Sequence, residues 1–104
     1  MKALNKRRDV ILDLAEIYAW IGERDLDAAE RFLRAADHTF EQICKHPGIG
    51  WERPWKNRKL EGLRSWRIEE FHNFLAFYRE ENATIEIYAV LRGSRHLERA
   101  LRKR

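Results

Sequence analysis

The sequence predicts an α+β domain: a two-helix hairpin, then an antiparallel meander of strands, then a short last helix. Three observations carry this. Apolar residues recur at three- and four-residue steps from residue 6 to residue 45. After Pro47 the period changes to two, with aromatic and β-branched runs. The helical patterns all precede the strand patterns instead of alternating with them, which segregates helices from sheet.

Residues 6–22 predict the first helix, with Asn5 as its cap, Val10, Leu14, Ile17, Tyr18 and Ile21 as its stripe, Trp20 at the stripe's edge and Gly22 as its stop. Residues 28–45 predict the second. Asp27 with Glu30 makes a capping-box start, and Ala29, Phe32, Leu33, Ala36, Phe40, Ile43 and Cys44 form the apolar face. His46-Pro47-Gly48 ends it, because proline disfavours helical geometry in the residue before it. The short link at 23–27 makes the pair antiparallel. Residues 47–62 carry both prolines, three glycines and two tryptophans, and read as a long loop.

Leu63 to Phe71 predicts a strand with Trp66 and Ile68 on one face and Arg67 and Glu69 on the other. Phe74 to Tyr78 is apolar on both faces and belongs centrally in the sheet. Ile85, Ile87, Ala89 and Leu91 alternate with Glu86, Tyr88 and Val90 in a third strand. His72-Asn73 and Glu80-Glu81-Asn82 suit the turns. Ser94 can cap a last helix containing Leu97 and Leu101, and residues 2–4 are a candidate edge strand. The expected sheet is three- to four-stranded and mainly antiparallel. The hairpin covers one face, and the other is expected to be free as a working surface.

The 104 residues suit one domain spanning 1–104. The longest apolar run, Val10-Ile11-Leu12, is far short of a membrane span, and no signal peptide is visible. One cysteine, Cys44, excludes an intrachain disulfide and a thiolate zinc module, and suits the cytoplasm. No phosphate-binding glycine loop is present, and His38, His46, His72 and His96 lack metal-ligand spacing. The pattern asks for no cofactor, metal, membrane or small-molecule substrate.

Charge is uneven. Residues 53–67 hold six cations against Glu61, a net +5, and residues 92–104 hold six against Glu98, again +5. These clusters either meet an anionic partner or are solvated surface. Trp51, Trp55 and Trp66 interleave with the first cluster. They either stack nucleic-acid bases or pin the loop to the core. Metal-free ribonuclease chemistry would need a base, an acid and cations for the phosphorane. Arg64, Arg67, Arg79, Arg92 and Arg95 are candidate cations, and His72, His96, Tyr78 and Tyr88 are candidate proton carriers. No pair of those carriers is brought together by the sequence.

The chain resembles the RelE/ParE family of type II toxin–antitoxin toxins. Asp13-Leu14-Ala15-Glu16-Ile17, Ala28-Ala29-Glu30-Arg31-Phe32, His46-Pro47-Gly48-Ile49-Gly50, Leu63-Arg64, Phe74 to Arg79 and Ile85 to Arg95 carry the resemblance, in order and across nearly the whole length. It implies a helical hairpin on an antiparallel sheet and a cognate antitoxin that neutralises the toxin, stabilising a plasmid or chromosome. RelE-like members are ribosome-dependent mRNA endoribonucleases. For that activity Arg64, Arg79, Arg95 and His96 are the matching candidates. ParE-like members inhibit DNA gyrase without that set. The arginine that the nucleases carry in the central strand falls at Leu75 and their C-terminal tyrosine at Leu101, so the pattern is closer to the ParE branch. A decayed member that only binds a partner is a further alternative. Arg64, Arg67, Arg79, Arg92, Arg95 and Arg99 are the residues expected to meet target or antitoxin.

Overall fold

The computed structural model describes residues 1–94 and 96–104. Strand β1 (Ala3–Lys6) leads into helices α1 (Arg8–Gly22) and α2 (Leu26–Lys45). A 3-10 turn at Pro47–Ile49 follows, then β2 (Trp51–Glu52), a second such turn at Arg58–Leu60, β3 (Arg64–Ile68), β4 (Phe71–Glu81), β5 (Thr84–Arg92) and α3 (Leu97–Arg102). The sheet has five strands, in the order β1-β5-β4-β3-β2, with β1 parallel to β5 and the others antiparallel. The expected three or four strands therefore become five. β1 takes the edge expected for residues 2–4, and the addition is β2, two residues inside the segment read as loop.

Asn5 lies in β1 and caps nothing; α1 starts after Arg7, which makes no side-chain cap bond. The cap of α2 is Asp25, whose carboxylate accepts the Ala28 N–H at 3.0 Å, rather than Asp27. The turn between β3 and β4 is Glu69-Glu70, with Glu70 at φ 71°, and His72-Asn73 runs on within β4. Thr39 ties that turn to α2: its hydroxyl accepts the Glu69 N–H at 3.0 Å and donates to the Ala35 carbonyl at 2.8 Å.

The helical hairpin covers one sheet face. Val10, Phe32, Ala36, Phe40 and Ile43 meet Ile68, Phe74, Ala76, Tyr78, Ile85, Ile87 and Val90 there. The alternation of β5 breaks midway. Phe77 pairs with Ala89 and Tyr78 with Ile87, so Tyr88 is the inserted residue of a bulge. Ile85 and Ile87 therefore share the helix face with Val90, while Ala89 joins the opposite core.

That opposite face is not free. Leu60 and Leu63 from the loop and Leu97 and Leu101 from α3 bury Phe77, Tyr88 and Ala89, with Trp55, Leu75 and Leu91 alongside. The expectation of a bare working face is overturned. The reason is chemical: Phe77, Ala89, Leu75 and Leu91 present apolar surface on this side, and the loop and last helix remove it from water.

The chain's turn after α2 is welded to β4 by Tyr78. Its hydroxyl donates to the Pro47 carbonyl at 2.6 Å and accepts the Gly50 N–H at 2.9 Å. Burial pushes the phenol's pKa up, and the Gly50 bond and Arg64 pull it partly back. A Cβ at residue 50 would stand 2.8 Å from the Tyr78 ring and hydroxyl and 2.9 Å from the Ser65 carbonyl oxygen. Gly50→Ala is therefore expected to cost about 1–3 kcal/mol by overpacking, read as a lower urea midpoint.

Candidate functional site

Helix α1 is apolar on two sides. Val10, Leu14, Ile17 and Ile21 face the sheet core. Ile11, Ala15 and Tyr18, at steps of four and three, lie along its outer side and with Leu14 meet Glu30 and Leu33 of α2 in a groove of about 480 Å³. Ile11 and Leu12 are 54% and 60% exposed. Tyr18 donates to Glu30 at 2.9 Å, and this bond to a carboxylate raises the Tyr18 pKa. The groove is lined mainly by aliphatic carbon with one charged group at its border. Such a surface suits the apolar face of an amphipathic helix.

A larger cleft of about 590 Å³ lies between α2 and the β3–β4 turn, lined by Arg31, Arg34, His38, Glu69, Glu70 and His72, with Ala35. Its charges are partly matched internally: Arg31 stands 3.7 Å from Glu70, and His38 bonds Glu69.

The arginines expected to form one patch take different places. Arg64 donates to the Gly50 carbonyl at 2.8 Å, bracing the same turn as Tyr78. Arg79 donates to the Lys59 carbonyl at 2.8 Å and the Glu61 carbonyl at 3.1 and 3.2 Å, stands 3.8 Å from Glu86 and lies 5.7 Å over the Tyr88 ring. It thus clamps the loop onto the second core. Arg67 is exposed and lies over Trp51 and Trp66. Arg92 lies 5.2 Å over Trp20, which itself meets Phe74 edge-on at 6.2 Å. Arg99 is exposed on α3. Arg95 lies outside the described residues.

The candidate proton carriers are likewise dispersed. Tyr78 is held in the turn just described. Tyr88 is buried, and its hydroxyl donates to the Leu101 carbonyl at 3.1 Å. His72 lines the polar cleft, and exposed His96 heads α3, its N–H meeting the Ser94 hydroxyl at 3.3 Å. Among the described residues no three His, Cys, Asp or Glu side chains gather as a metal-binding group. No described helix is long and apolar enough to cross a membrane.

Two features escaped the sequence reading. Ile11 and Ala15 had a signal, the second apolar stripe on α1, but a helix packed on a sheet is read for one stripe only. Asp13 had none. It is buried on α1, where its carboxylate accepts the Val90 N–H at 3.0 Å and pairs with Arg104.

Residues 6–97 match the family described as ParE toxin of type II toxin-antitoxin system, parDE. Among solved structures the chain is similar to the chromosomal ParDE TA system from P. aeruginosa, at 21% identity and a TM-score of 0.74, over 90% of this chain and 98% of that one. At that identity the likeness is one of fold. No curated protein matches the chain by sequence. With nearly the whole length matched, the chain belongs to the ParE toxin family of type II toxin–antitoxin systems.

Proposed function

We propose that this toxin inhibits DNA gyrase by binding, in the cytoplasm, and that its antitoxin silences it by laying an amphipathic helix into the α1–α2 groove. The observation that carries the docking site is the outward stripe of exposed Ile11 and Ala15, continued by half-buried Tyr18. Family membership supports gyrase as the target. The placement of Arg64 and Arg79 against backbone carbonyls gives no support to the endoribonuclease alternative. An acidic antitoxin tail finds complementary charge at exposed Arg92 and Arg99. Arg95, in the same basic segment, remains a proposed contact by sequence alone.

The purified toxin in stoichiometric excess is expected to stop supercoiling by gyrase while transcripts in induced cells stay intact. Unimpaired supercoiling counts against gyrase, and cleaved transcripts favour the nuclease alternative. Ala15 is exposed on the groove wall, so Ala15→Glu leaves folding intact and puts a charge where the partner's apolar side chains must sit. Antitoxin affinity is expected to fall about 100-fold, or about 2.7 kcal/mol, by titration calorimetry. Unchanged affinity removes the groove from the proposal.

A further inference from the structure

Trp51 and Trp66 lie at the end of the sheet where β2 is only two residues long. Trp51 pairs in register with Ser65 and Glu52 with Arg64, so from Trp66 to Ile68 no described strand covers the outer edge of β3. The two indole rings are 5.4 Å apart at 57°. The Arg67 guanidinium lies over both, at 5.9 and 5.5 Å. Trp66 is also packed against the main core, which fixes its position. Trp51 is 58% exposed. An indole left largely in water forgoes much of the stabilisation its burial would bring. Here one such ring is held beside a second, with a cation against both.

We propose that Trp51, Trp66 and Arg67 form a stacking platform for an unpaired base of single-stranded nucleic acid, with Arg67 meeting the adjoining phosphate. Three features favour this occupant. Every base has a flat π-face that matches the exposed indole, which an acidic peptide does not offer. Arg67 supplies both stacking and a phosphate donor fork. The segment 53–67 carries a net +5, which with Glu52 beside Trp51 is still +4, although Arg64 and Lys59 within it are engaged by backbone carbonyls. Trp55 differs. It lies against Phe77 at 6.0 Å in the second core, with Arg53 at 5.7 Å, and so anchors the loop. The two readings of the tryptophans thus separate by residue: Trp55 pins, and Trp51 is available.

The platform is independent of the gyrase reading, and its test uses no gyrase. Labelled oligothymidylate and oligouridylate of about 12 nucleotides, within the usual site sizes for stacking grooves, are titrated with the full chain and followed by anisotropy at several salt concentrations. Binding of either strand at low salt is expected. Trp51→Ala is expected to weaken it about 10-fold while Trp51→Phe retains it, because stacking needs an aromatic face. Arg67→Ala is expected to reduce the slope of log affinity against log salt by about one. Trp20→Ala, which removes the other Arg-capped exposed indole, is expected to leave binding unchanged. Trp51 is exposed, so an unchanged urea midpoint for its variants separates lost binding from lost folding. Absence of binding at low salt overturns the proposal. So does binding that survives Trp51→Ala, an equal loss with Trp20→Ala, or equal competition by polyglutamate, which would reduce the patch to charge alone.

Discussion

Leu101→Ala is expected to lower unfolding free energy by about 3–5 kcal/mol, near the top of the range for a buried leucine. Three observations set the size. Leu101 is wholly buried, in contact with the second core. Its carbonyl takes the hydroxyl of buried Tyr88, so a shift of α3 also strands a phenol. Finally, α3 has six residues, too few for a helix to persist without packing. Once it lifts, Phe77 and Ala89 lose part of their cover, and Lys59 loses its bonds to the Arg102 and Arg104 carbonyls. Urea unfolding measures the loss. A dye that fluoresces on apolar surface should bind the variant's native baseline and not the parent's. Arg99→Ala, exposed on the same helix, should stay within about 0.5 kcal/mol of the parent. A Leu101→Ala loss below about 1 kcal/mol would show that α3 rests on the sheet without holding it.

That helix also explains why the site was harder to read than the fold. The change from helical to alternating period at Pro47 is local, and it disclosed the hairpin, the meander and the last helix. The spacing of Leu97 and Leu101 disclosed α3 as a helix but not the surface it would cover, because that depends on Phe77 and Ala89, far away in sequence. Once the second face is closed, Arg79 becomes a clamp on the loop and Arg64 a brace on the Gly50 turn, roles invisible in a charge count. The Tyr88 bulge has the same character. A strict alternation puts Ile85, Ile87 and Ala89 together, and only the pairing with β4 shows that the phase slips. At the caps, Asp25 and Asp27 are chemically equivalent choices two residues apart, and it is Asp25 that stands at the helix start and accepts the Ala28 N–H. The groove was legible in part. Ile11, Ala15 and Tyr18 are a second stripe in plain view, but a stripe names no partner.

Asp13→Ala is expected to be comparably severe, at about 3–5 kcal/mol, although a carboxylate is a less obvious keystone than a leucine. Strand β1 shields the outer edge of β5 only from Thr84 to Ile87, and Arg7 adds one more bond to the Ile87 carbonyl. Val90, farther along, points its N–H out of the sheet, and Asp13 accepts it from α1 at 3.0 Å. The other carboxylate oxygen holds Arg104, whose side chain is 13% exposed. Alanine would leave a buried N–H and a largely buried guanidinium without their acceptor, and each loss is costly because water cannot replace the partner. The Arg104 Nη1 atom already lacks a hydrogen bond and stands 4.0 Å from Asp9, so it has little to fall back on. Because the two losses share one carboxylate, they should not add. Asp13→Ala combined with Arg104→Ala is expected to recover about 1–3 kcal/mol of the summed single losses. Asp13→Asn keeps an acceptor for Val90 but gives up the charge, and should fall between. Amide exchange at Val90 should quicken in Asp13→Ala before exchange at Ala76, its neighbour across the ladder. The consequence reaches the groove, since Asp13 lies on α1 between Ile11 and Leu14 of its lining. A helix loosened from β5 presents that wall less rigidly, so antitoxin affinity should fall with stability even though Asp13 is buried. An Asp13→Ala protein with the parent's urea midpoint would show that α1 is held by apolar packing alone.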